Sequence, residues 1–134
     1  MIPEAKWKWY GTAGHFICGH WCRFHLCTQV GKYLISTVGA YIPPEIPRIN
    51  ETAWLKENWP GADIGAGRKY ETMVFRAGPP CKAEKCNCGQ PAISGSNLDF
   101  AEYNTARAAT SGHIGLCRKW ASARKGGRDA SKRG

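Results

Sequence analysis

The chain has 134 residues, seven cysteines and a formal net charge of +9. That length points to one domain with room for a real core, and no apolar run approaches the ~20 residues of a membrane span. The charge is uneven: residues 118–134 hold Arg118, Lys119, Arg124, Lys125, Arg128, Lys132 and Arg133 against Asp129 alone, a balance of +6, while residues 1–117 carry +3.

The charge therefore marks a terminus and does not make the whole surface basic. Met1-Ile-Pro-Glu-Ala-Lys has no apolar stretch behind it, so no secretory leader is expected. A soluble, cytoplasmic chain with reduced thiols follows. There, clustered Cys and His favour metal over disulfides.

Residues 5–10 alternate Lys6-Trp7-Lys8-Trp9, which predicts a strand with both Trp on one face and both Lys on the other. Trp beside Lys suits either a core strand or a base-stacking edge with a charged rim. His15, Cys18, His20, Cys22, His25 and Cys27 then crowd one stretch. Residues 15–28 and 33–38 predict a hairpin that turns at 29–32. Alternation places Arg23, His25 and Cys27 together, and His15 joins that face if the strand runs back unbroken.

Two chemistries compete there, beside an ordinary hairpin of buried Cys and satisfied His. Cys18, His20 and Cys22 supply ligands for a second metal site. Alternatively His15, Arg23 and His25, with Glu71 as partner, supply acid, base and anion-gripping groups for a hydrolase or nuclease. Pro43, Pro44 and Pro47 stiffen a linker over 39–49. A short helix is predicted over 51–58, capped by Asn50, with Ala53, Trp54 and Leu55 inward. The loop Gly61–Gly67 lacks the Gly-Lys-Ser/Thr ending of a phosphate-binding loop. Residues 69–77 predict a strand with Glu71, Met73 and Phe75 on one face.

Cys81-x4-Cys86-x-Cys88 follows on a Gly/Pro-rich turn. The expectation for the rest is a loop over 93–97 and a helix from about Leu98 to Arg124. Phe100, Tyr103, Ala106, Thr110, His113, Cys117, Trp120 and Ala121 recur on its inward face, and Gly112 and Gly115 weaken it. His113 and Cys117 stand one turn apart. With Cys86 and Cys88 they make a closed tetrahedral set for structural Zn²⁺. Cys81 is the alternate ligand. A core histidine beside a small buried thiol is the competing reading.

Gly14-His-Phe-Ile17, Cys22-Arg-Phe-His-Leu-Cys-Thr28, Tyr33-Leu-Ile-Ser-Thr-Val-Gly39, Tyr70-Glu-Thr-Met-Val-Phe75 and Gly112-His113-x3-Cys117-x2-Trp120 resemble a group of small phage- and prophage-encoded proteins of unknown function. The resemblance spans most of residues 7–121. It implies a mobile-element origin and a task in a bacterial host cytoplasm, and brings no catalytic residues with it.

The sequence thus predicts a single α+β domain over 1–124 and a basic, disordered tail over 125–134. The domain is a small antiparallel sheet with a C-terminal helix tied by zinc to a Cys-rich turn. Three functions fit. The first is binding of nucleic acid or a host nucleoprotein or defence target through Arg118, Lys119, Arg124, Lys125, Arg128, Lys132 and Arg133. The second is phosphate-directed hydrolysis through His15, Arg23, His25 and Glu71. The third is inhibition or adaptation by protein contact, with the Trp residues as anchors.

Overall fold

The computed structural model describes residues 2–10, 21–64, 67–81 and 90–122. Within them the fold is α+β. Five antiparallel strands, β1 (Lys8–Trp9), β2 (Cys22–Val30), β3 (Tyr33–Tyr41), β4 (Tyr70–Pro80) and β5 (Pro91–Tyr103), lie side by side in chain order. Helix α1 (Glu51–Glu57) sits between β3 and β4, and α2 (Ala106–Ala121) ends the described chain and packs across β2, β3, β4 and β5.

The β2–β3 hairpin forms where alternation places it. Val30 pairs with Tyr33, so its turn is only Gly31-Lys32, tighter than the predicted 29–32. Gly31 takes φ 63°, a left-handed conformation that suits glycine. β3 runs on through Tyr41, beyond its predicted end, before the prolines stop it. At Gly39 the ring of Tyr70 lies against the strand where any Cβ would stand.

Pairing fixes the two faces of the sheet, because directly opposite residues share a side. Val30, Tyr33, Ile35 and Val74 form one face, and with Trp7, Cys117 and Ala121 they make the main apolar core under α2. His25, Cys27, Ser36, Val38, Glu71 and Glu102 lie on the other.

The structure departs from the sequence reading in four further places. First, β5 runs from Pro91 to Tyr103, so both the loop expected over 93–97 and the helix expected from Leu98 are strand there. Alternation in Leu98-Asp-Phe-Ala-Glu-Tyr breaks at Ala101, and it is pairing with Thr72, Met73 and Val74 that selects the strand. Phe100 is therefore exposed rather than inward. Second, α2 starts after Thr105, whose hydroxyl accepts from Ala108 N–H at 3.1 Å, and runs unbroken through Gly112 and Gly115. Third, a short 3-10 turn at Glu4–Lys6 replaces the start of the first strand. Trp7 enters the core and Trp9 stays 55% exposed, so the two are not equivalent. Fourth, Ala53 and Thr110 are exposed. The Thr110 hydroxyl instead donates to the Ala106 carbonyl at 2.9 Å.

Candidate functional site

Three groups of residues concentrate the chemistry. The first is buried between α2 and the sheet. His113 is fully buried, with Nε2 2.8 Å from the Thr28 hydroxyl and Nδ1 2.7 Å from the Thr37 hydroxyl. Thr37 reaches Thr72 at 2.6 Å. One polar chain thus links α2, β2, β3 and β4. A neutral imidazole, with one donor and one acceptor, satisfies it in either direction.

Burial holds His113 down to a pKa of about 4 and pushes the Cys117 thiol up to about 11. Sequence periodicity places both residues inward, as found. It does not supply the three threonines, which come from other strands. Both ring nitrogens of His113 are occupied, so metal binding there requires one threonine to be released. Among the described residues, no group of three or more His, Cys, Asp or Glu side chains is placed to hold a metal. Cys86, Cys88, Cys18 and His20 lie outside the described residues. Cys22 is buried and Cys81 half-buried.

The second group is on the opposite face. Arg23 and His25 share it, as alternation predicts, and Glu71 joins them two strands away across Val38. Two strand spacings put the backbones of His25 and Glu71 ~10 Å apart, and neither ring nitrogen of His25 bonds Glu71. His25 donates its Nε2 proton to the Cys22 carbonyl at 2.8 Å. That leaves Nδ1 as a buried lone pair with no partner among the described residues, and the buried Ser36 hydroxyl is likewise unpaired among them. Arg23 is held by Glu51 in an ion pair. Glu71 faces Glu102 directly; burial, then that like charge, raises its pKa. His15 lies outside the described residues. The set shares a face without making a connected acid–base relay.

The third group is the β1 edge. Lys6, Lys8 and Trp9 are exposed there, and among the described residues neither lysine has an ion-pair partner. Trp7 and Trp9 rings lie 6.1 Å apart, and Trp9 is 6.0 Å from the His113 ring. Ile2 N–H donates to the Ala121 carbonyl at 3.0 Å. That bond fastens the end of α2 to the segment leading into this edge.

The basic residues at the end of α2 are less free than their charge suggests. Arg118 bonds Glu4 at 3.2 Å, and Lys119 bonds Asp99 at 2.8 Å. Asp99 also accepts from the Trp120 indole at 3.1 Å. Burial alone would raise the Asp99 carboxyl, but these hydrogen bonds and the Lys119 charge bring it below its ordinary value. Arg124, Lys125, Arg128, Lys132 and Arg133 lie outside the described residues.

No family model, curated protein or solved structure matches this chain. No helix among the described residues is long and apolar enough to cross a membrane.

Proposed function

We propose that the protein binds nucleic acid, free or within a host nucleoprotein, along the Lys6–Trp9 edge together with the basic run that follows α2. The observation that carries this reading is the Ile2–Ala121 hydrogen bond. It sets the end of α2 beside the N-terminal segment, so the chain enters its most basic stretch next to Lys6, Lys8 and an exposed indole. Lysine neutralises phosphate without reading sequence. An open indole face stacks any base. Trp9, Lys6 and Lys8 are the contacts at the edge, and residues 124–133 add charge.

The test is fluorescence anisotropy with a labelled oligothymidine over a salt series. Binding that falls steeply with salt, and weakens when Lys125–Gly134 is deleted, supports the reading. Absent or salt-insensitive binding overturns it.

A zinc tie through Cys86, Cys88, His113 and Cys117 is the finer part of the proposal. Its support is that His113 and Cys117 are buried one turn apart on α2. It asks His113 to exchange a threonine for the metal. Elemental analysis tests it, with His113→Ala and Cys18→Ala alongside. One zinc that is lost only with His113→Ala supports the tie. Metal-free protein leaves the threonine chain as the element that registers α2.

A further inference from the structure

A groove of about 440 Å³ opens between α1 and the β2–β3 hairpin, lined by Arg23, Ile42, Glu51, Leu55, Lys56 and Trp59. Ile42 is buried at its floor, whereas Trp59 is 67% exposed on its rim. Ile49, 91% exposed, precedes α1 by two positions. Ile49, Thr52 and Lys56 recur at steps of three and four along α1 and its lead-in turn, and Trp59 follows in the turn after α1. A site for a small molecule encloses most of its ligand. This one lies open beside a stripe that extends past it, which suits a longer segment anchored at one point.

The charge selects the partner. Glu51 is taken by Arg23. Lys56 on the groove wall and Arg48 beside Ile49 are exposed and have no ion-pair partner among the described residues. An apolar floor, an exposed Trp and unneutralised cations are complementary to an apolar anchor flanked by carboxylates.

We propose that this groove docks an acidic segment of a partner protein, with one bulky apolar side chain seated between Ile42, Leu55 and Trp59. The site is separate from the nucleic-acid edge. Arg23 and the Lys8 partner Gln29 stand at opposite ends of β2, roughly 20 Å apart at the rise of a strand.

The test is NMR titration of the full chain with two blocked hexapeptides, Glu-Glu-Leu-Phe-Glu-Glu and Lys-Lys-Leu-Phe-Lys-Lys. The acidic peptide is expected to give saturable shifts confined to Arg23, Ile42 and residues 48–59, and to bind roughly tenfold more tightly than the basic one. Leu55→Glu is expected to weaken it by roughly tenfold or more. Lys56→Glu, an exposed change that spares the fold, is expected to weaken it severalfold. Both variants keep wild-type affinity for oligothymidine. No saturable shift, equal binding of the two peptides, shifts centred on Lys6–Tyr10, or an unaltered Lys56→Glu affinity would each overturn the proposal.

Discussion

Thr37 and His113 are 76 residues apart in sequence, yet the threonine hydroxyl lies 2.7 Å from the imidazole Nδ1. With Thr28 on the other ring nitrogen at 2.8 Å, the ring is clasped at both ends. Helix α2 is therefore registered on the sheet by directional polar contacts as well as by apolar packing. A buried network that is fully satisfied specifies one arrangement and penalises its neighbours.

The clasp predicts acid sensitivity. Burial lowers the His113 pKa from 6.5 to about 4, so between those values the unfolded chain binds the extra proton and the folded chain does not. The contribution is complete above pH 6.5 and is lost as pH falls toward 4. It amounts to about 3 kcal/mol by linkage. Urea midpoints measured at pH 7 and pH 4.5 should separate, and His113→Leu should remove most of that difference. An unchanged difference in the variant would assign the acid sensitivity to carboxylates.

Thr37→Val keeps the shape and deletes the hydroxyl. It strands His113 Nδ1 and the Thr72 hydroxyl in the core. The expected loss is ~1–3 kcal/mol, the cost of a buried polar group without a partner. Chemical denaturation of the purified variant measures it directly.

Two helix glycines should respond with opposite signs. A Cβ at Gly112 meets the Tyr103 ring and hydroxyl, whereas a Cβ at Gly115 meets nothing. Gly112→Ala is expected to destabilise by ~1–3 kcal/mol through overpacking. Gly115→Ala should stabilise by roughly 1 kcal/mol through helix propensity. Thermal melts of the pair suffice, and equal shifts would contradict the close approach of Tyr103 to α2.

At the β1 edge, Trp9→Ala is expected to cost ~1–3 kcal/mol of oligothymidine affinity. Replacing Lys6 and Lys8 with Gln should flatten the slope of log affinity against log salt by roughly 0.7 for each phosphate that is no longer neutralised. Trp7→Ala should act through stability instead, because Trp7 is in the core.

Local signals make some of this architecture legible. Alternation around Gly31 locates the β2–β3 hairpin, and alternation from Tyr70 locates β4. It also puts Arg23 and His25 on one face. From Leu98 to Tyr103 the apolar residues fall at 98, 100, 101 and 103, which suits a helical period better than strict alternation, yet the segment is strand. The long-range register with β4 selects the strand, and no local rule contains that register. A helix begun at Leu98 takes Ser96 or Asn97 as its cap and so hides Thr105 in that role. The inward positions of His113 and Cys117 can be read from their spacing. Their partners Thr28, Thr37 and Thr72 cannot, since a lone Thr in a strand carries no sign of what crosses above it. Alternation makes Trp7 and Trp9 equivalent because it ignores the 3-10 turn that ends at Lys6.

Because the strands lie in the sheet in the order in which they occur in the chain, each one emerging during synthesis meets an edge that has just been completed. The sheet can grow strand by strand, and among the described elements only α2 must reach back across earlier strands. The pairing of β3 with β4 still has to close the long connection that carries α1, so it is the step that topology makes slow. The layout also leaves the face of Tyr33, Ile35 and Val74 bare until α2 arrives. Interrupting translation before Ala106 would therefore release a sheet with a sticky side, a substrate for chaperones rather than a smaller working protein.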